Sequence, residues 1–581
     1  MIIQHILFPD ADICAEEELF LRKSEKTLCM PGILHFKELG FAEFNTYFNA
    51  LSIGKWLKYT SIKNVSLKIK LEGSFIISIC QRERYAYETA ARTLVQYKID
   101  CIEKKDKIFP VPVLEGNGLI YFTLQAISDG SEFYGGEWVA EFEEVQKVKL
   151  GIIFCTYKRD QYILRNLDHL KDYHVFVVDN AGTLPEGCCE NLYRNRNLGG
   201  AGGFARGMYE ISKLPEYTHV LLMDDDVVVH PESVYRAEIL YITMKPEYRS
   251  HLIGGAMFRL DIKEYQFEAG GVAMRDETEL TALKHGLRMH DPECCLMNEI
   301  EENCDFNAWF FCAFPIELCK GDQLPLPLFM QYDDVEFSLR HNKRFIHMNG
   351  ICVWHEGFGT KIHFGGRMYY IHRNCLITIA SHNMAFDPKQ FMRATKSVIL
   401  RELLCQRYLT AEHILDGILD FLKGIDWLKA LDSENKQKDL VSNGYQVDYP
   451  EALGVAVSLK ELESSVHLEG MSKRLRLLRA MTLNGLFMKA DKVAIMHMER
   501  ARPVHFYRAS SAVYYDIETR KAFVTHRSRK ETLRLLRKFY TVRRQFFKKY
   551  KKISAEYFAR RGELMSVEFW EGQFDKAITN I

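Results

Sequence analysis

The sequence carries no surplus of either charge: Lys plus Arg and Asp plus Glu number 77 each. No overall field therefore recruits nucleic acid, and nucleic acid is not an expected partner. CxxC spacing is absent, and the fifteen Cys are odd in number, with adjacent pairs at Cys188-Cys189 and Cys294-Cys295. That excludes a regular disulfide framework and a cysteine-rich zinc site, and fits the reduced thiols of a cytoplasmic protein. No apolar run approaches the ~20 residues a spanning helix needs. The opening Met1-Ile-Ile-Gln-His-Ile-Leu-Phe-Pro-Asp10 lacks the basic region and longer apolar core of a signal peptide. The expectation is a soluble protein, or one lying on the inner face of a cell membrane. Internal repeats and low-complexity segments are also missing.

What is present is a long chain rich in aromatic residues. Its 581 residues exceed a single core, and 37 Phe and 29 Tyr suit a well-packed globular protein with sugar-stacking surfaces. Up to about Gln146, runs such as Val65–Leu71, Phe75–Ile79, Leu119–Leu124 and Trp138–Phe142 alternate with period two. They read as antiparallel strands of a β-sandwich or barrel over 1–148, structural or carbohydrate-binding. From Lys149 buried-type strands at Leu150–Cys155, Val175–Val178 and Val220–Met223 alternate with helical stretches, the first at Gln161–Leu170. Such βαβ units form a parallel sheet whose ligands bind beyond the carboxyl ends of the strands. This α/β domain is assigned to 149–384. Beyond it, over 385–581, apolar residues recur at three- and four-residue spacing in a helical domain. There Arg520 to Arg561 is strongly basic, with Arg543-Arg544, Lys548-Lys549 and Lys551-Lys552 interleaved with aromatics. That face suits an anionic membrane surface; nucleic acid or plain solvent are the competing occupants.

Three polar clusters fall at strand ends: Thr156-Tyr-Lys-Arg159, Asp179-Asn180 and Asp224-Asp225-Asp226. Three adjacent carboxylates are tolerable chiefly around a divalent cation, which commonly bridges protein oxygens to phosphates. The alternative is a solvated acidic turn. Asn197-Leu-Gly-Gly-Ala-Gly-Gly-Phe-Ala-Arg206 reads as a Gly-rich loop entering a helix over Gly207 to Lys213, where backbone N–H groups approach a diphosphate or sugar. No Gly-Lys-Ser/Thr follows, so it is not a P-loop. Asp333-Asp334 opens a probable helix and offers a general base, the alternative being an N-cap. Trp354-His355-Glu356 follows a strand expected over Ile346 to Val353, and a His facing the Asp triad completes a metal shell. Two carboxylates with one imidazole favour Mn²⁺ or Mg²⁺ over structural zinc.

As a set these residues resemble the bacterial galactofuranosyltransferases of GT-A fold that build the mycobacterial galactan. The resemblance runs from Gly151 to about Asn383, through Asn197-Leu-Gly-Gly-Ala-Gly-Gly-Phe, Met223-Asp-Asp-Asp226, Phe267-Glu-Ala-Gly-Gly271, Asn307-Ala-Trp-Phe310, Tyr332-Asp-Asp-Val-Glu-Phe337, Trp354-His-Glu356 and His372-Arg-Asn374. It implies a GT-A nucleotide-sugar domain flanked by the sandwich and the helices, with UDP-galactofuranose as donor. Asp224, Asp226 and His355 would hold the metal and Asp334 would be the base of an inverting displacement. Glu268, Trp309, Asp333 and His372 would line the sugar and acceptor site. The donor site is expected to comprise Thr156, Arg159, Asp179, Asn197, Gly199, Gly200, Asp224 and Asp225. The acceptor would be a glycan or lipid-linked glycan, and a homo-oligomer is compatible with the layout. Phe358 stands where the mycobacterial enzyme has an acceptor-site Trp, so acceptor preference is expected to differ. UDP-glucose, UDP-galactopyranose and dTDP-rhamnose remain alternative donors. A nucleotidyltransferase would place its Gly-rich loop directly after the first strand, where Thr156-Tyr-Lys-Arg159 stands instead. A non-catalytic carbohydrate-binding scaffold would bind glycan without metal.

Overall fold

The computed structural model describes all residues except 86–87, 113, 274–279, 358–365, 459–461, 463–472, 491, 499–500, 518 and 576–581. The antiparallel strands expected at the start are present, and hydrogen bonds join nine of them into one sheet. Its spine is the 24-residue strand Ile62–Tyr85. One edge of that strand pairs with Glu88–Pro110; the other pairs with Ser131–Phe142 as far as Glu72, then with Leu119–Ala126 from Phe75. The change of partner falls at Gly73, whose φ is 98° and where a Cβ would lie 2.4 Å from Ser131 Oγ. A glycine there lets one strand leave one partner and join the next. Its buried face, including Trp138 and Phe133, belongs to the same apolar core as Leu150, Tyr241 and Val353 of the following region.

The central region is built on a seven-stranded mixed sheet. Leu150–Thr156 runs parallel to both His174–Asp179 and His219–Asp224, as the βαβ rhythm predicts. Cys312–Pro315 then pairs antiparallel with His219–Asp224. The glycine-rich segment differs from expectation: it is not a loop, since the helix begins at Gly199 and runs to Ser212. The glycines are there for close packing. A Cβ on Gly203 would lie 2.0 Å from Cys155 Sγ, and one on Gly207 would lie 2.3 Å from Ile153 Cγ2. The outer face of this helix is covered by the distant helix Val567–Asp575, whose Trp570 and Phe574 share a core with Phe204, Met208 and Ile211. A second, five-stranded sheet holds Val227–Val229, Cys352–His355, Ala256–Arg259, Tyr265–Glu268 and Leu287–Arg288. The single strand expected over Ile346 to Val353 is two short ones, Phe345–Ile346 and Cys352–His355, in different sheets.

The last third is not purely helical. Helices Gly366–Ser381, Pro388–Leu404, Tyr408–Phe421 and Arg529–Arg560 pack together, and they share a core with Leu326, Leu328, Tyr332 and Val335. Beside them lies a three-stranded sheet of Lys492–His497, Ala509–Tyr515 and Ala522–His526. This corrects the all-helical expectation. The basic stretch likewise starts in a turn and a strand, and becomes helical only at Arg529. Among the described residues no helix is long and apolar enough to cross a membrane.

Candidate active site

The acidic triad and His355 are brought together by a change of sheet. His219–Asp224 belongs to the seven-stranded sheet, Asp225 and Asp226 turn, and the chain re-enters as Val227–Val229 in the five-stranded sheet. There Val227 pairs with His355, so Asp226 is carried to the imidazole. His355 Nε2 lies 3.1 Å from Asp226 Oδ1 and 3.9 Å from Asp224 Oδ2. Ligand atoms of all three lie within 4.8 Å of one another. His355 Nδ1 is 2.6 Å from the carbonyl oxygen of Glu356. A carbonyl only accepts, so Nδ1 carries a proton, and Nε2 is the ring atom turned to the carboxylates, the orientation a metal-binding histidine requires. The trio therefore fits a divalent cation.

Asp225 turns the other way. Its Oδ2 accepts from Thr156 Oγ1 at 3.0 Å and from the Tyr157 N–H at 3.2 Å, which ties the turn to the neighbouring strand end. Burial, reinforced by Asp226, pushes its carboxyl up to about 6. Arg159 Nη1 lies 2.7 Å from Asp226 Oδ2 and 3.3 Å from Glu356 Oε2. It balances the charge beside the trio.

These groups front a cleft of about 690 Å³ lined by Thr156, Arg159, Asn197, Gly199, Gly200, Asp224 and Asp225, all expected in the donor site. Asn197 Oδ1 accepts from the Gly199 N–H at 3.1 Å, shaping the start of the glycine helix. Gly199 needs its φ of 70°, and a Cβ there would lie 2.0 Å from the Phe329 carbonyl oxygen. A second cavity of about 450 Å³ abuts the first and shares Gly200, Phe204, Asp224 and Met330 with it. Its walls hold Glu268, Trp309, Asp333 and Asp334. Trp309 packs edge-on against Phe204, with ring centroids 5.1 Å apart.

Three carboxyl groups in this second cavity have shifted acidities. Burial pushes Asp334 up to about 6, and Glu268 up to about 7 with help from the Asp334 charge. Asp333 rises well above the usual carboxylate range through burial and the adjacent Asp334. Neighbouring carboxyls do not readily both ionise, and of the two Asp334 is held nearer the ordinary carboxylate range. Neither is the N-cap residue, which is Tyr332, although Asp334 Oδ1 accepts from the Val335 N–H at 2.7 Å in the first turn.

The segment before this helix is strained. Phe329, Gln331 and Tyr332 have φ of 72°, 63° and 70°. It is held by the fully buried pair Arg373 and Asn374. Asn374 Nδ2 donates to the carbonyls of Leu328, Met330 and Gln331 at 3.0, 2.8 and 2.8 Å, and Arg373 Nη2 donates to Leu328 at 2.8 Å. The His372-Arg-Asn374 motif is thus a clamp on the loop that presents the carboxylates.

Four expected site residues line neither cavity: Asp226 and His355 join the site through Asp224 in the trio, whereas Asp179 and His372 are engaged elsewhere. Asp179 is fully buried; Oδ1 accepts from the Ala181 and Gly182 N–H groups, and Oδ2 from the Leu184 N–H and Arg194. Its lone pairs are spent on a turn. His372 Nδ1 donates to the Met368 carbonyl oxygen at 3.0 Å within its own helix, and the ring packs against Phe391. Burial pushes it down to about 4, so it stays neutral. Phe358 lies outside the described residues. Asn180, of the strand-end cluster, and Phe204, of the glycine motif, line the first cleft although neither was given a site role; sequence reasoning missed Arg367 in the second and the helix Ser433–Ser442, which forms an outer wall of the first. Arg367 was findable, one turn before the quoted His372 motif; the helix carried no local signal.

No protein-family model matches the chain. Two curated proteins do: the galactofuranosyltransferase GlfT2 of Mycobacterium tuberculosis, 25% identical over 468 residues, and that of Mycolicibacterium smegmatis, 24% identical over 425 residues. The matches cover 73% and 66% of this chain, and 71% and 64% of those relatives. Among solved structures, a family 29 carbohydrate-binding module aligns with 24% of this chain and 90% of its own at 11% identity, with a TM-score of 0.16. A superposition that slight carries no argument. The sequence similarity supports a glycosyltransferase of the GlfT2-like galactofuranosyltransferase family.

Proposed function

We propose that the chain transfers galactofuranose from UDP-galactofuranose to a hydroxyl of a glycan or lipid-linked glycan, with inversion at the anomeric carbon. The observation that carries this is the contact of the two cavities along Asp224 and Gly200, with a metal-fitting trio on one side and a shifted carboxylate pair on the other. The donor's nucleotide occupies the larger cleft and the acceptor the smaller one. Asp334 takes the acceptor hydroxyl proton as that oxygen bonds to the anomeric carbon, and the bond from carbon to the diphosphate oxygen breaks to release UDP. Arg367 faces Asp334 and Glu268 electrostatically and keeps the ionised base in place. Asp224, Asp226 and His355 would hold Mn²⁺ or Mg²⁺, which supplies charge neutralisation to the diphosphate leaving group.

The test is UDP release with UDP-galactofuranose in the presence of an oligosaccharide acceptor. Release should exceed that with UDP-galactopyranose, UDP-glucose or dTDP-rhamnose. Faster reaction with a pyranose donor keeps the glycosyltransferase and overturns the donor assignment.

A further inference from the structure

The donor cleft has a wall that comes from outside the α/β region. Helix Ser433–Ser442 contributes Glu434, Gln437, Lys438, Val441 and Ser442 to it. The helix is fixed in place on its inner side. Leu440 joins a small apolar core with Phe329, Tyr369 and Tyr370, and Lys436 Nζ lies 3.1 Å from Asp420 Oδ2 and 4.5 Å from the Tyr369 ring centre. Phe329 is the same strained residue whose carbonyl meets the start of the glycine helix. The wall and the floor of the cleft are therefore one packed unit.

Among the described residues lining the cleft, the cationic side chains are Arg159 and Lys438, against the acidic Asp224, Asp225 and Glu434. Arg159 is committed to Asp226. Lys438 sits on the wall formed by helix Ser433–Ser442, 66% exposed, with Nζ 3.0 Å from Glu434 Oε1 one helical turn away. An exposed ion pair of this kind is worth little and exchanges readily for a stronger anion. Resting on the nucleotide-sugar reading above, we infer that Lys438 is a donor-binding residue that leaves Glu434 to take the donor's diphosphate, and that Glu434 competes with the donor for it. A lysine serves phosphate as a mobile point charge, which suits a cation on an outer wall.

Calorimetric titration of the full chain with UDP and with uridine, in Mn²⁺, tests this. Lys438→Gln should weaken UDP about tenfold and leave uridine unchanged, since uridine lacks the phosphates. Glu434→Gln should tighten UDP a few-fold by removing the competitor. Equal UDP affinity in wild type and Lys438→Gln overturns the Lys438 assignment and spares the nucleotide site. Wild-type chain that binds neither UDP nor uridine overturns the nucleotide reading and the inference with it. Weaker UDP binding in Glu434→Gln than in wild type overturns the competition.

Discussion

Asn374 touches neither cavity, yet its loss should cripple transfer. Its side-chain amide is fully buried and donates to three carbonyls of the loop that ends at Asp333. That loop holds Phe329, Gln331 and Tyr332 at positive φ, a cost on the order of 1–3 kcal/mol each that the surroundings must offset. Asn374→Ala removes the donor from the Met330 and Gln331 carbonyls, while Leu328 keeps Arg373. Two part-buried acceptors losing their partner cost on the order of 2 kcal/mol together. The strain is then free to relax, and Asp333 and Asp334 move with the loop because they are the first residues of the next helix. A displacement near 1 Å at a reacting group costs about 100-fold, so kcat should fall by about that factor. Asn374→Asp should fall further, since it faces the same carbonyls with a carboxylate. The assay is UDP release with acceptor, alongside a thermal melt that should drop by several degrees. A variant with wild-type kcat and melting refutes the clamp; one that melts early but turns over normally refutes its link to Asp334.

Chelation with EDTA should abolish transfer and Mn²⁺ should restore it, whereas full activity in EDTA removes the metal assignment to Asp224, Asp226 and His355. Asp334→Asn should lower kcat by about 10²–10⁴-fold while UDP still binds by calorimetry; near-normal turnover would move the base to Glu268. Because Asp334 is raised to about 6, kcat should climb as pH rises through that value and the carboxyl ionises, and a profile flat from pH 5 to 7 contradicts the base. The helix Arg529–Arg560 exposes Tyr540, Phe547 and Phe558 among its basic residues, so co-sedimentation with anionic vesicles should weaken with salt and on changing Arg543, Arg544, Lys548 and Lys549 to Glu; equal binding to neutral vesicles removes the electrostatic argument.

The rim of the central sheet was readable because apolar runs stop abruptly at Thr156 and Asp224, and a strand end fixes where a ligand can sit. Asp179 shows the limit of that rule. It also ends a strand, but the Ala181-Gly182 turn after it offers N–H donors that capture the carboxylate, and only the residues beyond the motif reveal this. The meeting of Asp226 with His355 depends on strand register between distant segments, which one sequence does not encode visibly. The three-stranded sheet escaped because Lys492–His497 is too short for period alone to separate strand from helix. The glycine run reads as a loop because glycines let backbone N–H groups approach an anion, but here they serve close helix contact with Cys155 and Ile153, which outweighs glycine's low helix preference.

The helix Val567–Asp575 carries a consequence for biosynthesis. Its Glu571 accepts from Tyr209 and its Gln573 from Arg196, across 362 and 377 residues of chain. Ribosomes add about 5–20 residues per second, so the glycine helix waits roughly 20 to 70 s for its cover. Throughout that interval the face that includes Arg206 and Tyr209 stays open to other nascent chains and to chaperones. A chain interrupted before residue 567 would emerge with that face permanently bare, a ready target for quality control.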